Sequence, residues 1–485
     1  MNIDKKGMLS LFERYFIIMK RSLRLISLVL ILVFILSACQ TAEPEIVPEY
    51  SVNVEGQDLD GFKVVWGFAK SGADDENVFG YIPGTALADL ALERMNSIQK
   101  DFNCVIEMDY GNFGSIQNNM QYSIVSGAQL YDISTNESFV LVDFVRAGYL
   151  TGLSSYIDVA NTDKWGTPNM LQSLIWHDDL YGVVPFAWPE LLYTSFGYPI
   201  VVNESIIAKL GQEDPREFVE NGTWNWDKFE ECLAIYTHDD GGRTIYGLAT
   251  HDAYFAMMMF LSNGNTLSAL ENGEVVCGAY TDSGFVALER AQKIFQDTCK
   301  DYIHPQDAHG GVGLNFFLNG DIVMLTTYGS ELLGTESSIM YQADNVGLLP
   351  YPQGPNAVPG LYPSYHESVL YSTAIPINAK DVAATAIVLD AMFEPFEGFE
   401  TKEDIIRYMA DQVFFDERDA RVFVNMLEHT EYGFFKEGAR GVIQSSVESN
   451  TTVATLLESN ENIYEKIVSD YMINHYNGRV AVYGE

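Results

Sequence analysis

Positive charge is scarce in this sequence of 485 residues. It contains 28 lysine and arginine residues against 67 aspartate and glutamate residues, which gives a formal net charge of −39. A surface this acidic repels phosphate backbones and anionic lipid head groups, so the charge argues against nucleic acid as a partner. We therefore expect the partner to be neutral or cationic.

The sequence also lacks the short motifs of common enzyme classes. It has no G-x-S-x-G, H-E-x-x-H or G-x-x-x-x-G-K, and Phe316 stands where a dinucleotide-binding loop starting at Gly311 needs its third glycine. No Cys/His spacing indicates zinc, and the acidic segments at 58–61 and 239–241 lack the closing glutamate of a calcium loop. We expect no cofactor, no metal ion and no enzyme activity, although hydrolases can place catalytic acids without a signature.

The apolar run near the N-terminus is too short to cross a membrane. Residues 25–36 are twelve residues interrupted only by Ser27, whereas a spanning helix needs about 20. A basic cluster at 20–24 precedes the run and Leu36-Ser37-Ala38-Cys39 follows it. This arrangement resembles the signal peptide and lipobox of a bacterial lipoprotein.

Lipidation would hold the mature chain at a membrane surface. We predict that residues 1–38 are removed and that Cys39 becomes the acylated N-terminus, with Met1 or Met19 as the start of the chain. Residues 39–58 contain prolines and acids that are typical of a tether between lipid and fold. An ordinary signal peptide that happens to contain a cysteine is the alternative.

The other four cysteines lie in or beside apolar-periodic segments. They are Cys104, Cys232, Cys277 and Cys299. Export would permit disulfides, and four cysteines allow three full pairings. We favour free thiols that pack as small apolar side chains.

The body of the chain alternates strand and helix patterns. Phe62–Phe68 predicts a buried strand, apolar residues between 87 and 102 recur at helical spacing, and 105–108 predicts a second strand. Further strands are predicted at 131–134, 322–325 and 369–375, and helices at 139–146, after Asn225, around 285–295 and from Val382 onwards. This alternation indicates α/β layers with largely parallel sheets.

Several segments, in order from about residue 60 to about residue 395, resemble one family. It is the extracellular sugar-binding proteins of bacterial ABC importers, the family 1 solute-binding proteins that are similar to maltose-binding protein. The similar segments are 131–133, 144–150, 153–156, 180–185, 213–215, 221–229, 316–324 and 347–355. The connection 186–202 and the loop 70–84 are longer than the family's, and the region after residue 395 matches little.

The resemblance implies a two-lobed α/β fold, the type II periplasmic-binding-protein fold, with hinge strands and a ligand cleft between the lobes. It implies a first lobe of residues 59–190 and 327–372 and a second lobe of residues 191–326 and 373–485. The chain would bind a carbohydrate, with an oligosaccharide favoured, close around it and deliver it to ABC permease subunits. We expect a lipid-anchored monomer on the outer face of a Gram-positive cell membrane.

Two other functions remain open. A secreted polysaccharide-degrading enzyme can also be lipid-anchored and rich in aromatic residues. A ligand-sensing protein that reports to a sensor kinase can share the fold without transport.

The resemblance also selects candidate ligand-binding residues near strand ends. A sugar has an apolar face that stacks on aromatic rings and hydroxyl groups that need fixed hydrogen-bond partners. The candidates are Trp66, Asn136, Glu137, Trp188, Tyr254, Asn263, Tyr328, Tyr365 and His366.

Several candidates have a structural alternative. Core packing is as plausible for Trp66, a hinge plug for Trp188, a helix cap for Asn136 or Glu137, and a helix C-cap turn for Asn263. We assign Trp224, Trp226 and the methionines at 257–259 to packing.

Overall fold

The structure is a computed structural model that describes residues 58–69, 78–191, 197–305, 311–333, 338–343, 345–366, 371–432, 438 and 440–484. The predicted signal peptide, the lipidation site Cys39 and almost all of the predicted tether lie outside the described residues. No helix in the described ranges has the length and apolar character that crossing a membrane requires.

The described strands form two larger sheets and several two-stranded ones. In chain order they are β1 (Phe62–Phe68), β2 (Cys104–Tyr110), β3 (Ile133–Glu137), β4 (Ile175–Trp176), β5 (Asp179–Leu180), β6 (Gly197–Asn203), β7 (His238–Asp240), β8 (Arg243–Thr250), β9 (Ser268–Glu271), β10 (Glu274–Cys277), β11 (Ile303–Pro305), β12 (Ile322–Tyr328), β13 (Val346–Leu349), β14 (Ser364–His366), β15 (Tyr371–Ala374) and β16 (Thr430–Tyr432). The first sheet has the order β15-β3-β1-β2 and the second has the order β11-β8-β12-β6-β13.

Helices connect these strands and form most of the C-terminal part. They are α1 (Ala86–Asp101), α2 (Phe113–Ser126), α3 (Ser138–Arg146), α4 (Thr162–Trp165), α5 (Pro168–Leu171), α6 (Glu204–Lys209), α7 (Pro215–Glu220), α8 (Trp226–Tyr236), α9 (Asp252–Leu261), α10 (Asp282–Lys293), α11 (Gly311–Leu318), α12 (Gly329–Leu332), α13 (Ile339–Gln342), α14 (Val382–Met392), α15 (Lys402–Met409), α16 (Glu417–Glu428), α17 (Gly441–Glu448), α18 (Val453–Ile467) and α19 (Ile473–Tyr483). Single π-helical turns follow α10, α15 and α18.

Both larger sheets are mainly parallel, apart from the strand that enters each from the other lobe and the short β7, which is antiparallel to β8. In the first sheet β1 pairs in parallel with β2 and β3, and β15 is antiparallel to β3. In the second sheet β8 pairs in parallel with β11 and β12, and β6 is antiparallel to β12. Because β6 and β15 are the strands that follow the passages between sheets, the topology is that of two α/β lobes with the chain crossing between them.

Local sequence explains where the helices begin. Asn225 accepts a hydrogen bond from the Lys228 backbone and so starts α8, as predicted. The apolar face of α9 lies fully inside the second lobe, and the methionines at 257–259 are 0% exposed. Their assignment to packing is confirmed.

Two segments depart from the predicted lobe boundaries. Strand β13 lies within 327–372, which the prediction placed in the first lobe, yet it pairs with β6 in the second sheet. Helix α14, placed by the prediction in the second lobe, packs on α1, where Arg94 donates hydrogen bonds to the carbonyls of Ala391 (3.3 Å) and Glu394 (2.6 Å). Four buried apolar residues let β13 complete the hydrogen bonds of β6, which would otherwise lie at the sheet edge.

The C-terminal segment, residues 396–484, contacts both lobes. In the second lobe, α17 packs on α9 and α10. Helix α19 reaches the β4–β5 hairpin, where the rings of His475 and Trp176 lie 5.2 Å apart and Arg479 donates to Asn169 at 3.0 Å. That hairpin belongs to the first lobe, because Val183 just after it bridges to Thr373 of β15.

Candidate ligand-binding site at the strand ends

The carboxyl ends of the parallel strands define one edge in each lobe. In the first lobe β1, β2 and β3 end at Phe68, Tyr110 and Glu137. In the second lobe β8, β11 and β12 end at Thr250, Pro305 and Tyr328. Open α/β sheets bind ligands outside the carboxyl ends of their strands, so these two edges are the candidate site.

A carboxylate and a phenol lie side by side on the first-lobe edge. Glu137 is half-buried at the end of β3, and its side chain makes no capping bond to α3. Burial raises the pKa of its carboxyl group. Tyr371 is its register partner in β15, and burial together with the Glu137 charge raises the pKa of Tyr371 to about 12. The pair offers an acceptor and a neutral donor to a hydroxylated ligand.

An exposed aromatic ring lies near this pair. Phe113 is the first residue of α2, is 47% exposed, and meets Phe139 edge to face with ring centroids 5.8 Å apart. Asn136 is fully buried and donates from Nδ2 to the Phe113 carbonyl at 3.2 Å, so it positions the start of α2. Phe113 was not among the residues predicted from the sequence. The signal available for it was an apolar residue directly after the N-cap Asn112.

A stacked tyrosine pair marks the second-lobe edge. Tyr254, in the first turn of α9, stacks on Tyr198 of β6 with centroids 3.9 Å apart and planes 20° apart. The His251 ring lies 4.9 Å from Tyr254 at a tilt of 40°. Tyr198 and Tyr254 are only 6% and 8% exposed. The sequence analysis selected Tyr254 and missed Tyr198.

The backbone at Tyr198 is strained. Its φ is +59°, a value that bulky residues rarely adopt and that costs about 1–3 kcal/mol. Gly197 beside it pairs with Tyr328, and the β6–β12 register shifts between Thr326 and Tyr328. Irregular pairing of this kind commonly re-aims side chains next to binding sites.

A buried hydrogen-bond network supports the second-lobe edge from below. The Tyr351 hydroxyl lies 2.8 Å from Thr326 Oγ1 and 3.5 Å from Thr250 Oγ1. Burial raises the pKa of Tyr351 to about 12, so the phenol stays neutral at physiological pH. The network joins β12, the end of β8 and the residues after β13.

Acidic groups surround the start of α9. Asp252 Oδ1 lies 3.0 Å from His251 Nδ1. Burial, and next the Asp252 charge, raise the pKa of Glu448 in α17. A cation or a hydroxyl donor would therefore be favoured here over an anion.

Two predicted tryptophans lie inside the first lobe and offer no surface to a ligand. Trp66 is 0% exposed, and its indole donates to Thr135 Oγ1 at 2.9 Å. Trp188 is 1% exposed, donates to the Glu394 carbonyl at 3.0 Å and packs against Phe396. Both rings fill the space where α14 meets the first sheet, which is the reason that they are not available.

Two more candidates also have structural partners. Asn263 is fully buried, donates to the Ser283 carbonyl at 3.0 Å and accepts from the Asn356 backbone at 3.2 Å, so it ties two loops together. Tyr365 is fully buried in β14, and Arg440 donates to its hydroxyl at 3.4 Å.

The last two candidates are placed by their backbone. Tyr328 ends β12 at the second-lobe edge, and His366 ends β14 beside β16. Besides Asn136, the candidates that lie at a strand-end edge are Glu137, Tyr254 and Tyr328.

Metal and thiol chemistry find no support in the described ranges. There, no group of three or more His, Cys, Asp or Glu residues could hold a metal ion. The four cysteines are free and buried, as predicted. Burial raises the pKa of Cys277 to about 12 and that of Cys232 to about 11.

Residues 84–395 match the family model described as bacterial extracellular solute-binding protein. No curated protein sequence matches the chain. The cyclic α-maltosyl-1,6-maltose-binding protein of Arthrobacter globiformis is similar in structure with a TM-score of 0.61 at 12% identity, over 84% of this chain and 100% of that one.

Two further solved structures are similar. The sugar-binding protein MalE of Xanthomonas citri has a TM-score of 0.58 at 12% identity, over 85% of this chain and 98% of that one. An ABC substrate-binding protein of Listeria monocytogenes, solved with cycloalternan, has a TM-score of 0.52 at 14% identity, over 84% and 99%. At these identities the similarity shows the fold, the two-lobed type II binding-protein fold. Because the family model spans well over half of the chain, this protein belongs to the bacterial extracellular solute-binding proteins.

Proposed function

We propose that this protein is the lipid-anchored binding component of an ABC importer and that it takes an oligosaccharide into the cleft between its lobes. The observation that carries the proposal is the chemistry at the two strand-end edges. Glu137 and Tyr371 provide polar groups at one edge, and the ring of Tyr254, stacked on Tyr198, lies at the other. Aromatic faces and fixed polar groups are what sugar recognition requires.

Size favours an oligosaccharide over a single sugar. Phe113 is exposed on the first-lobe edge, so the aromatic surface extends beyond the Glu137–Tyr371 pair. The similar proteins described as binding cyclic α-maltosyl-1,6-maltose and cycloalternan take ligands of several sugar units. We therefore propose several subsites along the cleft, with closure of the lobes trapping the ligand for the permease.

Stabilisation by ligand tests this part of the proposal. In a thermal-shift screen of mono- and oligosaccharides, a ligand at 100 times its Kd adds about 2.7 kcal/mol to the free energy of unfolding. Tyr254→Ala should lose the shift, whereas Tyr122→Ala, a change at an exposed tyrosine of α2, should keep it. The ligand should be recovered chemically unchanged after long incubation. Protein-dependent cleavage of the ligand would favour the enzyme alternative instead.

Anchoring is proposed on the sequence around Cys39, and we place the monomeric protein on the outer face of a Gram-positive membrane. Cys39→Ala should leave the fold intact and either release the protein from membranes or block its processing. Fractionation of expressing cells, together with incorporation of labelled fatty acid, measures this. An alanine variant that remains acylated and membrane-bound would contradict the lipobox.

A further inference from the structure

We infer that Tyr198 is a built-in cover over the sugar-stacking face of Tyr254, which a ligand must displace in order to bind. The cover itself is independent of the ligand's identity; its role in affinity rests on the proposed function. The cover would select among ligands. Only a ligand whose stacking on Tyr254 is more favourable than the stacking of Tyr198 can displace the Tyr198 ring.

The first supporting observation is the geometry of the two tyrosine rings. Centroids 3.9 Å apart with planes 20° apart describe face-to-face stacking. A pyranose would use the same face of a tyrosine at a similar separation, so Tyr198 occupies the place of a sugar ring. The 8% exposure of Tyr254 agrees with a face that is covered.

The second supporting observation is the strained backbone at Tyr198. Ser364 Oγ accepts from the Gly197 amide at 3.2 Å and donates to the Gly197 carbonyl, which fixes the residue before Tyr198. Pro199 follows, and a residue before proline favours extended backbone with a negative φ. Tyr198 nevertheless has a φ of +59°. An unfavourable backbone angle at a ring that covers the candidate site points to a role beyond filling space.

The third supporting observation is that Tyr198 lies where the strand pairing of the second sheet is irregular. The β6–β12 ladder shifts register between Thr326 and Tyr328, directly across from Gly197. Fewer regular backbone hydrogen bonds fix the first residues of β6 than the central ones, so movement at Tyr198 does not require the whole strand to move. The cover can open locally.

Chemical accessibility of Tyr254 tests the cover without any ligand. Tetranitromethane nitrates exposed tyrosines, and peptide mass spectrometry locates the products. In the wild type Tyr254 should be protected, and Tyr198→Gly, which accepts the positive φ, should expose it. Tyr198→Phe keeps the ring and should keep the protection. Tyr122 (62% exposed) and Tyr236 (1% exposed) are the modified and unmodified references within each sample.

A second variant guards against a folding defect. Tyr198→Asn also tolerates a positive φ and removes the ring. If either ring-deleting variant keeps wild-type circular dichroism while Tyr254 stays protected, the cover is not Tyr198 and the inference fails.

Calorimetric titration with maltotetraose tests the effect on affinity. Losing a competing stacked ring should tighten binding to Tyr198→Gly by roughly two- to tenfold relative to wild type. Weaker binding would mean that Tyr198 is itself a ligand contact, and unchanged binding with a lower melting temperature would mean packing alone; either result overturns the inference. If Tyr254 becomes nitrated in Tyr198→Gly but no variant binds maltotetraose or any other oligosaccharide, the cover stands and the proposed function fails.

Discussion

The family-matched body of this protein and its C-terminal segment are held in place by different forces. The body has two ladders of parallel strands around apolar cores, in which residues such as Val64 and Leu248 are fully buried. The segment 396–484 is mainly helical, and several of its contacts with the rest of the molecule are charged side chains buried at interfaces. Apolar ladders stabilise through area, whereas buried charges depend on each partner being present.

Arg216 shows the second kind of contact. It is 4% exposed in α7, and its guanidinium pairs with Asp214 at 2.7 Å, with Asp419 of α16 at 3.1 Å, and with Glu204. Asp419 also accepts from the Leu348 amide of β13 at 3.0 Å. Arg216 therefore links α7 to α16 of the C-terminal segment, and Asp419 links α16 to the second sheet.

The largest expected effect comes from removing that cation. Arg216→Met should lower the free energy of unfolding by about 3–5 kcal/mol, because it leaves Asp419 buried without its partner. Arg421→Met, which removes an exposed arginine paired with Glu403 and Glu417, should change stability little. Urea unfolding of both variants measures the difference. Similar losses of unfolding free energy in Arg216→Met and Arg421→Met would show that burial of the arginine does not determine its contribution to stability.

A buried acid in the same segment should make stability depend on pH. Glu431 is fully buried, accepts from the Leu267 amide at 2.7 Å, and has its pKa raised by burial to about 7. Between the unfolded value of about 4.3 and this folded value, the folded state keeps a proton that the unfolded state releases, so stability falls as pH rises. The total loss above the folded pKa is about 3.7 kcal/mol.

Glu431→Gln should remove the Glu431 contribution to this slope and keep an acceptor for the Leu267 amide. The contribution of Asp419, whose pKa burial also raises to about 7, should remain. Unfolding in urea at several values between pH 4.5 and pH 8, at about one-unit intervals, measures it. Glu458→Gln, on the exposed surface of α18, should leave the slope in place. A glutamine variant at 431 with the wild-type slope would mean that another group titrates.

In the body, the sharpest contrast is between edge aromatics and core aromatics. Tyr254→Ala and Tyr328→Ala should each weaken ligand binding more than about tenfold, which is about 1.4 kcal/mol. Trp226→Ala should lower the melting temperature with little change in affinity, because Trp226 is buried at the start of α8 and not at a strand-end edge. Calorimetry and thermal denaturation on the same samples decide the matter. Normal binding by both tyrosine variants together with loss of binding in a stable Trp226→Ala would refute this placement of the cleft.

The smallest expected effect is local. Thr452 caps α18 by accepting from the Thr455 amide at 3.2 Å, and Thr452→Ala should cost about 1 kcal/mol. Ser459→Ala, farther along the same helix, should cost less. If the cap cost as much as Arg216→Met, local helix formation rather than long-range charge would position the C-terminal segment.

Much of the fold could be predicted because periodicity is local. Strand Phe62–Phe68 was predicted with its observed bounds, and the predicted helix at 139–146 differs from α3 by one residue. Strand β3 extends to Glu137, past the predicted end at Ser134, because its polar residues are buried and hydrogen-bonded. For example, Thr135 Oγ1 lies 2.7 Å from Thr373 Oγ1 on the neighbouring strand. Register partners of that kind are distant in sequence, so no local pattern reveals them.

The site was less predictable for the same reason. Glu137 and Tyr254 follow strands, so their place at an edge could be inferred. The cover depends on a positive φ at Tyr198, which is not a glycine, and on stacking with the ring of Tyr254 from α9. Neither feature has a sequence signal. Trp66 also ends up near a strand end, but only the packing of α14 determines that its ring faces inward.

The buried thiols have a practical consequence for watching the lobes move. The thiolate is the reactive form of cysteine, and burial raises the pKa of Cys104, Cys232, Cys277 and Cys299 alike. In a secreted version that starts after Cys39, maleimide dyes would meet no reactive native thiol among the residues that the structure describes. Cysteines introduced at Tyr122 and Glu458 would then carry a donor and an acceptor fluorophore, one on α2 in the first lobe and one on α18 in the C-terminal segment. Energy transfer between single pairs of dyes would test whether the proposed opening and closing of the lobes occurs, with every native cysteine of the folded body left in place.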